Sequence, residues 1–198
     1  MDWDQRYQAG DMPWEKGGPA PPLLEWLQTR GALHGKILVP GCGYGHDVRA
    51  IAAVSPDAKV VGLDISPLAI KRAREFPVAG QEVYELGDLF NLGQDFSGEF
   101  QWVFEHTCFC TMDPQQRAAY VRTIAGALRP LGFLLAIFFL NPWDEGEEPA
   151  EGGPPFGVSI TELDQLFEPA FEQIEERHPR CSFPGREGRE IIRLLRKR

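Results

Sequence analysis

A glycine-rich turn and an aspartate are the residues of this chain best suited to binding chemistry. Gly41, Gly43 and Gly45 follow the apolar run 37–40, and a second apolar run ends at Asp64. Glycines let a backbone turn sharply and approach a ligand, because a Cβ there would clash or block the ligand. The carboxylate of Asp64 could accept both hydroxyls of a ribose. Such a turn between a strand and a helix, with an acid ending the next strand, indicates an adenosine site in an open α/β sheet.

A second acid, Asp88, helps to separate two cofactor classes that share this turn. Dinucleotide sites usually carry Gly-x-Gly-x-x-Gly around a pyrophosphate, whereas Gly-x-Gly-x-Gly suits a ligand without phosphate. Asp88 follows the third predicted strand and could accept a hydrogen bond from the exocyclic amine of adenine. With Ile65, which follows Asp64, and Leu89, which follows Asp88, these residues form a predicted S-adenosylmethionine site. Asp88 is alternatively a turn former, as aspartates after strands often are. A nicotinamide-dependent oxidoreductase therefore stays an alternative.

The surrounding sequence predicts the elements that would position these residues. Short runs rich in Val, Ile, Leu or Phe predict strands over 36–40, 59–64, 82–86, 102–106, 133–140, 171–176 and 190–195. Helices are predicted over 45–54, 67–75, 114–128 and 160–167. This alternation predicts an α/β fold, a mostly parallel seven-stranded sheet with helices on both faces, in a single domain over 1–198. A turn-rich connection between the last two strands predicts an antiparallel hairpin at the C-terminus.

The composition and charge limit the kinds of partner that the protein is expected to bind. With 198 residues and 43% hydrophobic content, the chain suits one well-buried domain. Its net charge of −9 disfavours nucleic acid, whose phosphates an acidic surface repels. The longest apolar run, 133–140, is far shorter than a membrane helix, and the N-terminus lacks the pattern of a secretory signal. We therefore expect a soluble, cytoplasmic protein with a small-molecule substrate, no nucleic-acid or membrane partner, no metal, and a monomeric state by default.

Several motifs resemble the thiopurine S-methyltransferase superfamily over nearly the whole chain, most of all its plant-type thiol and halide methyltransferase branch and related bacterial proteins. The motifs are Trp3-x3-Tyr7-x6-Trp14 and the segments 38–48, 61–66, 105–110 and 153–156. The resemblance implies a class I, Rossmann-like methyltransferase fold. It also implies transfer of a methyl group by in-line displacement from S-adenosyl-L-methionine to a small soft nucleophile, leaving S-adenosyl-L-homocysteine. The acceptor would be a thiol or sulfide, a halide or a thiopurine-like sulfur; a non-catalytic module that binds the cofactor is the alternative.

The resemblance also implies roles for residues outside the turn. An N-terminal segment, 1–30, would fold over the cofactor, with Trp3, Tyr7 and Trp14 offering aromatic faces to the sulfonium. The alternative is that these rings pack on the core. Trp3 and Tyr7 are spaced as on one helical face, but Gly10 and Pro13 predict a break before Trp14. Glu105, after the fourth strand, is carried over as a cofactor residue.

His106 stands where the resembling enzymes have a tyrosine close to the cofactor and acceptor. A histidine there could act as general base toward a thiol, because its pKa lies near neutral pH. A base is not required, because thiols are partly ionised at neutral pH and halides need no deprotonation. His106 could therefore instead form part of the pocket wall, donate or accept a hydrogen bond, or have no role.

A mobile loop over 141–157 is predicted beside the acceptor site. Aromatic side chains that could line the acceptor pocket, with core packing as the alternative, are Phe109, Phe139, Trp143 and Phe156. Arg117 and Arg180 could hold an anionic acceptor, or be ordinary surface charges.

Overall fold

The computed structural model describes residues 1–144, 146–149 and 153–198. Its strands are β1 Lys36–Pro40, β2 Lys59–Asp64, β3 Gln81–Leu86, β4 Phe100–His106, β5 Leu128–Phe139, β6 Phe171–Arg177 and β7 Glu190–Lys197. Its α-helices are α1 Trp3–Ala9, α2 Pro21–Arg30, α3 His46–Val54, α4 Pro67–Glu75, α5 Arg117–Ala127 and α6 Ile160–Phe167.

The strands form one seven-stranded sheet in the order β3-β2-β1-β4-β5-β7-β6. β7 runs antiparallel to both β5 and β6, and the pairs from β3 to β5 are parallel. The predicted α/β fold, with a mostly parallel sheet and a C-terminal antiparallel hairpin, is confirmed. Between β1 and β4 the strand order changes direction, and in open α/β sheets ligands bind at the carboxyl ends of strands at such a point.

Both faces of the sheet are covered, because successive side chains of a strand point to opposite faces. In β1, Leu38 packs into the hydrophobic cluster that contains residues of α5 and α6. Its neighbours Ile37 and Val39 pack into the cluster that contains residues of α2, α3 and α4. The sheet is therefore a central layer, packed on both faces, and the loops that follow its parallel strands meet at its carboxyl edge.

The main differences from the sequence prediction are the bounds of α5, the start of β5, which was predicted at 133, and the presence of α2. The helix predicted over 114–128 is a 3₁₀ turn followed by α5, and Leu128 already belongs to β5, where it pairs with Phe100. Pro130 explains the early end of the helix, since proline disfavours helical backbone at the residue before it. α2 was not predicted, although Leu23, Trp26 and Leu27 are buried at helical spacing.

The N-terminal aromatic residues do not share one helix. α1 ends at Ala9, and Gly10 closes it in a left-handed conformation at φ 71°. Trp14 thus lies outside the helix that carries Trp3 and Tyr7, as Gly10 and Pro13 led us to expect.

In the part of the chain that the structure describes, no helix is both long and apolar enough to cross a membrane. Residues 145 and 150–152 of the predicted mobile loop 141–157 lie outside the described residues, and its mobility stays a prediction.

Candidate functional site

A cavity of about 670 Å³ opens at the carboxyl edge of the sheet, where the strand order changes. Its lining comes from the N-terminal segment, from the residues that end or follow β1 to β4, and from a turn that follows β5. Eight of the ten predicted cofactor residues line it: Trp3, Tyr7, Trp14, Gly41, Asp64, Ile65, Asp88 and Leu89. Gly43 contacts this group through a hydrogen bond, and Glu105 lies behind the wall.

Asp64 is fixed at the end of β2 by the backbone around it. Its Oδ2 accepts a hydrogen bond from the Gly43 amide at 2.8 Å, and its Oδ1 accepts one from the Ser66 amide at 2.9 Å. Burial raises the pKa of the Asp64 carboxyl, and these backbone hydrogen bonds oppose the rise. Because each carboxylate oxygen has a second lone pair, the group can still accept hydroxyl donors from the cavity.

In the glycine-rich turn after β1, a side chain at the glycine positions would be crowded and its backbone strained. A Cβ at Gly45, which has φ 74°, would lie 2.4 Å from a ring carbon of Tyr84. A Cβ at Gly43, with φ 52°, would lie 3.1 Å from the Tyr7 hydroxyl. The turn therefore brings the Gly43 amide against Asp64 in a way that a larger residue would disturb.

Asp88 has the local turn-forming role considered from sequence, and it also lies at the cavity wall. It lines the cavity, and its Oδ1 accepts a hydrogen bond from the Phe90 amide at 2.9 Å, capping the short 3₁₀ helix Leu89–Asn91. The cap fixes the carboxylate at the cavity wall, next to the buried Leu89.

Three aromatic rings of the N-terminal segment form one wall. Trp3 and Trp14 pack edge to face with centroids 5.3 Å apart, and the Trp14 indole N–H donates to the Tyr7 hydroxyl at 3.2 Å. The guanidinium of Arg6 lies 4.5 Å from the centroid of the Trp14 ring. Burial, with the nearby Asp64, raises the pKa of Tyr7.

The N-terminal segment is attached to the sheet domain by side-chain hydrogen bonds. Asp4 Oδ1 accepts from the Ser66 hydroxyl at 2.6 Å and from the Leu68 amide at 3.0 Å, at the start of α4. At the far end of the segment, the Ala20 amide donates to Asp47 Oδ1 at 2.7 Å. These contacts hold the aromatic wall over the cavity.

Glu105 lies on the other side of the wall and is 1% exposed. Its Oε1 accepts from the amides of Cys108 and Phe109, at 3.0 and 2.7 Å, and its Oε2 accepts from the Tyr120 hydroxyl. Burial raises its pKa, which these hydrogen bonds partly offset. Glu105 therefore shapes the turn after β4, whose Thr107 and Cys108 line the cavity, and is placed to act on a ligand only through that turn.

His106 does not line the cavity. Its ring is 8% exposed, with Nδ1 3.2 Å from Asp47 and Nε2 3.7 Å from Glu190. It stacks on Phe183, with centroids 6.2 Å apart. A base must reach the proton that it removes, so this placement gives the proposed base role of His106 no geometric support.

Of the residues suggested for the acceptor pocket, some line the cavity and others do not. Phe156 lines the cavity together with Pro154, whereas Phe109 is buried among Tyr120, Phe138 and Phe167. Phe139 and Trp143 are outside the lining, as are the two arginines predicted to hold an anion, Arg117 and Arg180. Arg117 is buried and paired with Glu162, which leaves it unavailable to a ligand.

Beyond the motif segment 105–110, which supplies Thr107 and Cys108 to the wall, sequence reasoning did not single out the stretch that follows it. The lining members of this stretch are Thr111, Met112, Asp113, Gln115 and Gln116. The one signal for them was position, since they follow a strand at the point where the strand order changes.

The chemical groups that line the cavity fit S-adenosylmethionine. A buried carboxylate at the end of β2 suits ribose hydroxyls, and aromatic faces suit a sulfonium. Among the lining residues that the structure describes, no Lys, Arg or His side chain is present to hold a phosphate.

Comparison with known proteins shows the family. The family model described as thiopurine S-methyltransferase (TPMT) matches residues 1–184. Probable thiol methyltransferase 2 of Arabidopsis thaliana is 34% identical over 202 residues, which cover 98% of this chain and 84% of that protein. Thiocyanate methyltransferase 1 of Brassica oleracea is 30% identical over 200 residues, again with 98% and 84% covered.

A solved structure shows the same fold. The 1,6-didemethyltoxoflavin-N1-methyltransferase of Burkholderia thailandensis, with 1,6-didemethyltoxoflavin and S-adenosylhomocysteine bound, superimposes with a TM-score of 0.72 at 16% identity, covering 98% of this chain and 84% of that one. The chain therefore belongs to the thiopurine S-methyltransferase family and is an S-adenosylmethionine-dependent methyltransferase of the thiol and thiopurine S-methyltransferase type.

Proposed function

We propose that the cavity holds S-adenosylmethionine between the glycine-rich turn, Asp64, Asp88 and the N-terminal aromatic wall, and that the acceptor is a small thiol or sulfide that arrives already ionised. The observation that carries the cofactor part is the Gly43–Asp64 hydrogen bond at the cavity wall. It fixes a buried carboxylate where ribose hydroxyls can donate to it.

Under this proposal each group has a defined task. When bound, S-adenosylmethionine would supply a methyl group activated by its positive sulfonium, which the nucleophile would take up in one step with S-adenosylhomocysteine as the leaving group. Asp64 would orient the ribose and Asp88 the adenine, while Trp3, Tyr7 and Trp14 would cover the cofactor and exclude water. Positioning and desolvation then account for most of the rate.

Among the described residues that line the cavity, no group is well suited to remove a proton from the acceptor. Burial raises the pKa of the Cys108 thiol and the Tyr7 hydroxyl, so both stay protonated at neutral pH. The lining carboxylates Asp64, Asp88 and Asp113 each accept hydrogen bonds from backbone amides. An acceptor that is ionised in solution, as sulfide and acidic thiols are near neutral pH, needs no base.

An acceptor panel tests both parts. The protein is incubated with labelled S-adenosylmethionine and, separately, with hydrogen sulfide, a series of thiols of different acidity, iodide, thiocyanate and a thiopurine. We expect turnover of thiols or sulfide, with a pH midpoint that moves from thiol to thiol with the acidity of the acceptor.

Two results would count against the proposal. A midpoint common to all thiols would indicate a titrating group of the enzyme. Tight cofactor binding without turnover of any acceptor would favour a non-catalytic module.

A further inference from the structure

Arg117 is a buried cation that bridges three parts of the fold without reaching the cavity. It is the first residue of α5, and its side chain is 1% exposed. Its guanidinium donates to Glu162 Oε1 at 2.6 Å on α6. It also donates to the backbone carbonyls of Gly157, at 2.9 Å, and Phe156, at 3.4 Å.

The turn that Arg117 holds forms part of the cavity wall. Pro154 and Phe156 line the cavity, and the Phe156 amide donates to the Cys110 carbonyl at 2.7 Å. The Trp143 indole N–H donates to the Pro155 carbonyl at 2.8 Å. The turn is thus attached both to the stretch after β4 and to α5.

This part of the wall is separate from the cofactor residues. Asp64 ends β2 and Asp88 follows β3, whereas the turn follows β5, and in the sheet order β1 and β4 lie between β2 and β5. A ligand held by the two aspartates leaves the side that bears Phe156 for the acceptor.

We infer that Arg117 is a positioning residue for the acceptor side of the cavity, acting through Phe156; the inference rests on the proposed function, in which an acceptor binds there. A guanidinium is a planar fork that can donate to a carboxylate and to two carbonyls at once, whereas a lysine ammonium cannot match that geometry. Arg117 thereby sets the distance between Phe156 and the rest of the wall.

The first test is Arg117→Lys, compared with the wild type in thiol methylation. We expect the KM for the thiol to rise about tenfold, because a misplacement of about 1 Å at a reacting site can cost up to ~100-fold. The dissociation constant for S-adenosylhomocysteine, measured by calorimetry, stays within about twofold, since Asp64 and Asp88 are untouched. A parallel loss of affinity for S-adenosylhomocysteine would overturn the inference.

A double-mutant cycle separates positioning from a general structural effect. If Arg117 acts through Phe156, Arg117→Lys adds little to the KM of Phe156→Ala, because the wall group that it positions is already gone. Additive effects on the KM would contradict that route.

Arg193→Lys is the matched control. Arg193 is also 1% exposed and pairs with two carboxylates, Asp164 and Glu176, away from the cavity lining. This variant should lose thermal stability as Arg117→Lys does, with the KM for the thiol unchanged. An equal rise of the KM in both variants would show that Arg117 has no special role.

Hydrogen exchange gives a readout that does not depend on turnover. Arg117→Lys should speed exchange at the amides of Phe156 and Val158, and leave the amides of Gly43 and Ser66, which donate to Asp64, unchanged. If the wild type methylates no acceptor, the proposed function fails, and this measurement still decides whether Arg117 positions the turn. Unchanged exchange at Phe156 would overturn the inference.

A milder variant covers the case in which Arg117→Lys does not fold. Glu162 is 38% exposed and outside the cavity lining, so Glu162→Gln removes the charge partner of Arg117 at lower cost to the core. We expect a smaller rise of the KM and faster exchange at Phe156. A folded Glu162→Gln with neither change would count against the inference.

Discussion

The Nδ1 of His106 lies 3.2 Å from the Oδ2 of Asp47, and that carboxylate holds the Ala20 amide with its other oxygen. His106 ends β4, Asp47 lies in the first turn of α3, and Ala20 precedes α2. On its other side the ring faces Glu190 at the start of β7, with Arg186 3.3 Å away. The imidazole is therefore a buried connection between the N-terminal segment, the centre of the sheet and the C-terminal hairpin.

The protonation of His106 should make stability depend on pH. Burial lowers the pKa of the imidazole, but the hydrogen bond to Asp47 and the Glu190 carboxylate 3.7 Å from Nε2 raise it more, to about 9. A group whose folded pKa exceeds its unfolded value stabilises the fold most below the unfolded pKa, and this contribution is lost as pH rises through the folded pKa. We expect His106→Phe to melt several degrees below the wild type at neutral pH, and the difference to narrow as the pH passes about 9.

The exposed His34 offers the control for this experiment. Melting curves of His34→Gln should follow those of the wild type at every pH. A difference between wild type and His106→Phe that stays constant across the alkaline range would contradict the buried imidazolium. The pH profile of methyl transfer near neutrality should keep its shape in His106→Phe, because the ring lies outside the cavity.

His106 and Glu105 show where sequence reasoning reached its limit. The glycine-rich turn and Asp64 were predictable because local spacing and strand order determine their positions. Strand alternation places the two neighbours at the end of β4 on opposite faces of the sheet, but no local pattern shows that Glu105 meets Tyr120 and His106 meets Asp47. The next residue, Thr107, is the one that lines the cavity, and its backbone has a φ of 60°. That backbone conformation is rare for a residue other than glycine, and nothing in the sequence announces it.

The same limit applies to Arg117. From sequence, Arg117 could hold an anionic acceptor or be an ordinary surface charge, because one sequence cannot show which charges are already neutralised. The structure pairs Arg117 with Glu162, which lies 45 residues further along the chain. Long-range ion pairs of this kind require the tertiary fold, and the fold class alone does not specify them.

Asp64 is the residue on which cofactor affinity should depend most. Asp64→Ala removes the acceptor for ribose hydroxyls and also leaves the Gly43 and Ser66 amides without their side-chain partner. We expect the dissociation constants for S-adenosylmethionine and S-adenosylhomocysteine to rise at least ~10-fold in calorimetry, since hydrogen bonds to charged groups contribute about 1.5–3 kcal/mol each.

Asp57→Asn, at an exposed position of the turn before β2, is the control and should bind as the wild type does. Tighter binding of NAD than of S-adenosylmethionine by the wild type would contradict the assignment of the cavity. So would wild-type affinity in a folded Asp64→Ala.

Asp4 should control how firmly the aromatic wall closes the cavity. Its carboxylate joins α1 to the start of α4 through the Ser66 hydroxyl and the Leu68 amide, one residue along the chain from Trp3. Asp4→Ala removes both hydrogen bonds, so α1 should detach more often and the affinity for S-adenosylhomocysteine should fall several-fold, mainly through faster dissociation. Stopped-flow displacement of the bound ligand measures that rate. Gln5→Ala, on the exposed face of the same helix, should leave it unchanged, and equal rates in Asp4→Ala and the wild type would show that the wall closes without this anchor.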